Sequence, residues 1–209
     1  MTDPSLLGLL VKGGWVMFAI LALSVAALAL ILERWAFFFR IRRTGAAAVE
    51  RAASEVRRGG PQAALAALAS EKGPVRDVLA ACLERWEEGA RRMEEAARLE
   101  GNRAAERLEA RLRALSFIAQ AAPLLGLLGT VLGMIETFMR IEGAGREVEV
   151  SLLAGGIWEA LLTTAFGLIV AIPALFAYSN YEGRAARCIS WIESGVEMLV
   201  SLRDAGGTP

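Results

Sequence analysis

Three long stretches of the chain carry little or no charge, and they limit what it can fold into more than any other feature. Between Lys12 and Glu33 lie 20 uncharged residues, Gly13 to Leu32. Between Arg113 and Glu136 lie 22, Ala114 to Ile135. Between Glu149 and Glu182 the 32 residues from Val150 to Tyr181 hold a single charge, Glu159. A helix needs roughly 20 apolar residues to cross ~30 Å of hydrocarbon. The runs therefore predict an all-α membrane protein with three transmembrane helices, over 13–33, 114–138 and 152–181. Buried helices of a soluble core explain one such run, but three uninterrupted runs of this length are rarely core. The first run does not read as a cleaved leader. It is too long, Asp3 accompanies Lys12 in its flank, no A-x-A pattern precedes a polar start, and a basic stop-transfer flank follows at Arg34, Arg40, Arg42 and Arg43.

Composition removes most other classes. Hydrophobic residues make up 55% of the 209, charged residues 22%, and the mean hydropathy is +0.43, above the usual apolar share of a soluble domain. Twenty-three basic residues balance 23 acidic ones, so no global basic field attracts nucleic acid. The absence of histidine excludes His-based zinc sites, Ser-His-Asp triads and histidine general bases. Two cysteines, Cys82 and Cys188, make neither a disulfide framework nor a Cys-rich metal site. Neither G-x-x-x-x-G-K-[ST] nor G-x-S-x-G occurs. We expect no enzyme activity, no cofactor and no metal.

Orientation follows from arginine and lysine. Segment 33–113 holds 17 of the 23 basic residues, whereas 136–150 holds Arg140 and Arg146 against four glutamates. The positive-inside rule puts 34–113 and the tail 182–209 in the cytoplasm, and the N-terminus 1–12 and the loop 139–151 in the periplasm. Both cysteines then sit where thiols stay reduced. Within 44–113 the composition favours helix, with Gly59-Gly60-Pro61 and Gly73-Pro74 as the strong breakers. The pattern predicts a short helix before 59, another near 61–71, and a long one from Pro74 running unbroken into span two. Span three is expected to continue past Tyr178 and Tyr181, read as aromatic-belt residues, into an amphipathic helix bearing Ile189, Trp191, Ile192, Val196, Leu199 and Val200.

Spans two and three are not uniform apolar rods. Gly126, Thr130, Gly133 and Thr137 lie on one helical face, and Gly129 and Gly133 form a G-x-x-x-G that allows close helix approach. Gly156, Ala160, Thr164, Gly167 and Ala171 form a similar face in span three, with Glu159 and Thr163 on a neighbouring one. Span one has only Ser24 among Leu, Ala and Val, and reads as lipid-facing. Glycines in such faces mostly pack helices, and a membrane threonine often only bonds its own i−4 carbonyl. Two threonine-bearing small faces in adjacent spans point to a polar-lined helix interface. Glu159 is either a functional carboxylate facing a bundle interior or a residue close enough to the outer interface to reach water.

Two segments resemble the signatures of the ExbB/TolQ family of proton-channel motor proteins, which belongs with MotA. The run Pro123-Leu-Leu-Gly126-Leu-Leu-Gly129-Thr130-Val-Leu-Gly133 resembles the second-span signature. The run Gly156-Ile-Trp-Glu159-Ala-Leu-Leu-Thr163-Thr164-Ala-Phe-Gly167, continuing to Pro173, resembles that of the third span. Three spans and a large segment after the first also agree, whereas flagellar MotA proteins have four spans. The resemblance implies a homo-pentameric bundle around a central pore, with spans two and three extended into the cytoplasm as long helices. It implies an ExbD/TolR-like single-span partner whose membrane Asp sits in the pore, and a TonB/TolA-like energy transducer beyond it. Thr130, Thr164 and Glu159 match the family's pore and ion-pathway positions; Pro173 matches the third-span proline. Gly126, Gly129, Gly133 and Gly167 are expected to pack helices. Thr163, about 100° around the helix from Thr164, is expected to stand off the pore face. A non-conducting membrane scaffold acting through its cytoplasmic helices is the alternative.

Overall fold

The computed structural model describes residues 14–41, 45–144 and 150–206. The expected periplasmic N-terminus 1–12 lies outside the described residues, as do 145–149 of the expected loop. Among the described residues there are helices and turns and no strand. Helix α1 is Gly14–Ile41, α2 Gly45–Leu68, α3 Pro74–Glu84, α4 Ala90–Glu109, α5 Leu112–Ala144 and α6 Val150–Gly206, with a 3-10 turn Trp86–Glu88 before α4. Among the described residues three helices are long and apolar enough to cross a membrane. Only 22%, 28% and 33% of their most apolar windows is buried within the chain, so most of that surface must be covered by lipid or by other chains.

The chain divides into two units, one of residues 1–32 and 113–179, the other of 33–112 and 180–209. In the first unit, α1 is two-faced. Val16, Met17, Ile20 and Ala27 are buried, whereas Trp15, Phe18, Leu21, Val25, Leu28 and Leu32 form an exposed stripe at helical spacing. Span one is thus exposed along one side and buried along the other. Helix α5 continues six residues past 138, to Ala144. Pro123 and Pro173 lie inside α5 and α6, which run through them. Each ring removes one ladder hydrogen bond.

The second unit is a helical core. Helices α2, α3 and α4 and the end of α6 bury Leu68, Val78, Leu79, Leu83, Met93 and Leu199 almost completely. Burying each such side chain is worth ~1.5–3 kcal/mol. The expected breakers act as such: α2 kinks at Gly60, with φ of 79°, and Gly73, with φ of 124°, precedes Pro74 at the start of α3. The expected unbroken helix from Pro74 does not form. Gly89 adopts φ 101° and ψ 162°, a conformation that side chains disfavour, and it lets α3 and α4 pack on each other. Gly101 stays helical inside α4. On the tail, Tyr181, Ala185, Cys188, Ile192 and Leu199 are buried at helical spacing, and Trp191, Val196 and Val200 pack against the core. Tyr181 does not stand in an aromatic belt. It is 4% exposed and stacks on Phe38 with ring centroids 5.6 Å apart.

Arg34, expected as part of a stop-transfer flank, is 5% exposed. Its Nη1 donates to the carbonyls of Arg107 at 3.2 Å and Leu108 at 3.4 Å. These belong to the last turn of α4, where carbonyls lack helical donors and a cation is favourable. Its guanidinium lies 5.0 Å from the Phe37 ring centroid, and Arg111 pairs with Glu33 at 3.3 Å nearby in sequence. Both cysteines are free and buried; burial, with the Glu94 charge, pushes the Cys82 thiol up to about 12.

Candidate functional site: a threonine cluster between two apolar helices

Helices α5 and α6 meet along their small-residue faces. The pairing is antiparallel: Gly126 faces Thr163, Thr164 and Gly167, Gly133 faces Ala160, and Thr137 faces Gly156. The glycines set the spacing. A Cβ on Gly167 would lie 2.6 Å from the Ala122 carbonyl oxygen and 3.1 Å from Gly126 Cα. One on Gly129 would lie 2.5 Å from Thr163 Oγ1, and one on Gly126 3.0 Å from the Thr163 carbonyl. Backbones this close permit side-chain-to-backbone bonds across the pair.

Three threonine hydroxyls converge there. Thr130 Oγ1 donates to its own i−4 carbonyl, Gly126, at 3.2 Å and across the pair to Ala160 O at 3.2 Å. Thr164 Oγ1 leaves its own helix and donates to Gly126 O at 3.0 Å. Thr130 and Thr164 also hydrogen-bond each other directly, and either hydroxyl can be the donor. Thr163, expected off the pore face, joins the cluster from its buried side. It is 2% exposed and donates to Ala160 O at 2.7 Å and Gly126 O at 3.2 Å. Thr130 and Thr164 are only half-buried. The cluster thus has a sealed side at Thr163 and an open side at the Thr130–Thr164 pair. Thr137, one turn or more away, is buried and donates to Gly133 O at 2.7 Å.

Glu159 is half-buried and, among the described residues, makes no hydrogen bond or ion pair. Trp158 beside it is exposed. Pro173 is exposed on α6, away from the cluster in sequence. Among the described residues no group of three or more Cys, Asp or Glu side chains could hold a metal ion.

Residues 70–194 match the MotA/TolQ/ExbB proton channel family. The chain belongs to that family. Over 203 residues it is 36% identical to the biopolymer transport protein ExbB-like 1 of Synechocystis sp., covering 84% of this chain and 70% of that protein. It is 44% identical over 83 residues to the Tol-Pal system protein TolQ of Haemophilus influenzae, covering 40% of this chain and 36% of TolQ. It is 39% identical over 80 residues to the biopolymer transport protein ExbB of Xanthomonas campestris, covering 38% and 31%. The MotA/TolQ/ExbB match takes in the whole threonine cluster and Glu159. Sequence reasoning missed Thr163 as a member of that cluster. The available signal was Gly129, one turn from Gly126 and Gly133, whose missing side chain makes room for a hydroxyl opposite.

Proposed function

We propose that the chain is a subunit of a proton-conducting complex of the bacterial inner membrane. With a single-span partner of the ExbD/TolR kind, it converts proton motive force into mechanical work for outer-membrane transport or envelope maintenance, delivered through a TonB/TolA-like transducer. Five copies surround a pore, with spans two and three inside, the N-terminus in the periplasm, and 34–113 and the tail in the cytoplasm. Family membership and the exposed apolar faces support this. The carrying observation is the Thr130–Thr164 hydrogen bond, half-buried on the small-residue faces of the helix pair. Hydroxyls both donate and accept, so this pair can solvate a partner carboxyl group in either protonation state. An unsolvated carboxylate in an apolar pore would instead stay protonated. Glu159, without a partner among the described residues, is a second polar group on the ion path, and Pro173 is a hinge of span three.

The test is proton flux in vesicles holding the chain and its partner, with oligomer size measured for each variant. Thr130→Val and Thr164→Val keep the bulk and delete the hydroxyl. Each should lower flux roughly tenfold to a hundredfold, the equivalent of one hydrogen bond to a charged group, with assembly intact. Glu159→Ala should impair flux more than Glu159→Gln if its role is polar rather than acid–base. Wild-type flux in both threonine variants removes the pore-lining assignment. Loss of assembly assigns the hydroxyls to packing alone and favours the non-conducting scaffold.

A further inference from the structure

On one side of the Thr130–Thr164 pair, towards the start of α5 and the tail of α6, polar side chains are few. From Ala165 to Ala177 α6 has none. From Ala114 to Gly129 α5 has two, Ser116 and Gln120. At about 100° per residue, Ser116 lies about 40° and Gln120 about 80° around the helix from Thr130. The glycine seam with α6 lies on the other flank of Thr130, with Gly126 and Gly133 about 40° and 60° away.

Ser116 and Gln120 satisfy each other only in part. Gln120 Nε2 donates to Ser116 O at 3.2 Å and to Ser116 Oγ at 3.0 Å. Both amide protons are then used. The amide oxygen still has lone pairs to offer, and the serine hydroxyl a proton to give. Among the described residues Gln120 Oε1 accepts nothing and Ser116 Oγ donates to nothing. Gln120 is exposed and Ser116 half-buried, so this free donor and free acceptor can be reached from outside the chain. Pro123, about 20° around from Thr130, adds a third group. Its ring has no N–H, so the Ala119 carbonyl lacks its helical donor. Against hydrocarbon such groups are costly. A water molecule suits them, because it accepts from the hydroxyl and donates to the amide oxygen, and bound waters take about two to four polar partners.

We infer that Ser116 and Gln120 form a water-binding station that carries the ion path along α5, from the Thr130–Thr164 pair to the cytoplasmic side. This rests on the pore-facing reading and the orientation proposed above. Glu159 precedes Thr164 in α6 and so lies on the opposite side of the threonines from the station. Polar side chains then stand on both sides of the pair. From Gln120 to Thr130 is about 15 Å along the helix, a length for several waters, with the Ala119 carbonyl near its start. Neither Ser116 nor Gln120 ionises at neutral pH, so protons pass through the water they hold and not through the side chains.

The experiment uses the full chain with its partner in vesicles and measures proton flux and oligomer size for Gln120→Leu, the double variant Ser116→Ala/Gln120→Leu, Thr130→Val and Thr164→Val. Gln120→Leu keeps most of the bulk, and flux should fall about two- to tenfold, as for one neutral hydrogen bond, with assembly intact. The double variant leaves no polar side chain between Ala114 and Gly129 and should lose more. A second readout separates water from packing. Gln120→Cys should react with a charged thiol reagent, which attacks in water and not in hydrocarbon. Phe117→Cys should not; Phe117 is 66% exposed and about 60° further around from Thr130. Cys82 and Cys188 are buried, so the wild type is the blank. Should Gln120→Leu fail to assemble, the labelling decides alone. An unreactive Gln120→Cys overturns the inference, and the pair then faces lipid or another copy of the chain. Equal labelling of Gln120→Cys and Phe117→Cys overturns it too, because that end of α5 then stands in bulk water. Wild-type flux in the double variant, with flux lost in Thr130→Val and Thr164→Val, overturns the inference and leaves the pore reading standing. Full flux in Thr130→Val and Thr164→Val removes the pore reading and this inference with it.

Discussion

Arg34 and Thr164 are polar side chains in apolar surroundings, and both hydrogen-bond to backbone carbonyls. For Arg34 the carbonyls are the otherwise unpaired last turn of α4. Arg34→Met keeps the length and apolar stem but strands two carbonyls. Stability should fall by ~1.5–3 kcal/mol, the usual worth of a hydrogen bond to a charged group, seen as a lower unfolding midpoint in detergent. Arg34→Lys, which keeps charge without the fork, should lose less. A midpoint unchanged by Arg34→Met would deny the capping role. At this scale the sequence was partly legible. A basic residue after an apolar run reads equally as a topology signal, and nothing in the local pattern reveals that it reaches a carbonyl 73 positions away. Thr130 and Thr164 stood out because hydroxyls repeated on small faces. Thr163 did not, because helical periodicity places it off that face, and only the close approach at Gly129 lets its hydroxyl reach Gly126 O.

The three apolar helices followed directly from the absence of charge, since little else in a sequence can make runs of that length. The small-residue faces were also visible, but a periodic pattern identifies a face and not its partner. That Gly126 and Gly167 meet within one chain emerged from the antiparallel packing of α5 on α6. The break at Gly89 was missed because glycine inside a helical pattern usually costs only ~1 kcal/mol. Here it takes a φ of 101° and starts α4 afresh, after α3 has ended at Glu84 and a 3-10 turn has followed. Helix approach at the seam predicts a graded response. Gly167→Ala forces a methyl group to 2.6 Å from a backbone oxygen, whereas Gly155→Ala on the same helix meets nothing within 4 Å. The first should destabilise the assembled protein by ~1–3 kcal/mol, as overpacking does, and the second should be near neutral. Thermal unfolding in detergent separates them, and equal midpoints would contradict the seam.

For the whole molecule, half of the fold is a membrane bundle that exposes apolar faces, and the other half is a helical core closed around Leu79, Leu83 and Met93. That core buries Cys82, whose thiol is raised from 9.0 to about 12 by burial. A raised thiol favours the neutral form in the fold. The stability it contributes is full below pH 9 and drains away as pH rises toward 12. Cys82 should therefore resist thiol reagents at neutral pH until the protein unfolds, and unfolding midpoints should drop between pH 9 and 11 by less in Cys82→Ala than in the wild type. Rapid labelling of the folded protein at neutral pH would show the thiol to be accessible. The apolar faces of the bundle require lipid or further copies, which the proposed pentamer and its single-span partner provide. Conduction is the property on which that proposal turns. Vesicles holding the wild-type chain and its partner, under an imposed pH gradient and membrane potential, should take up protons. Vesicles holding the chain alone, or the chain with a partner whose membrane carboxylate is changed to the amide, should take up far fewer. Equal uptake by all three preparations, or none by the complete pair, would contradict a proton path completed by the partner's carboxyl group.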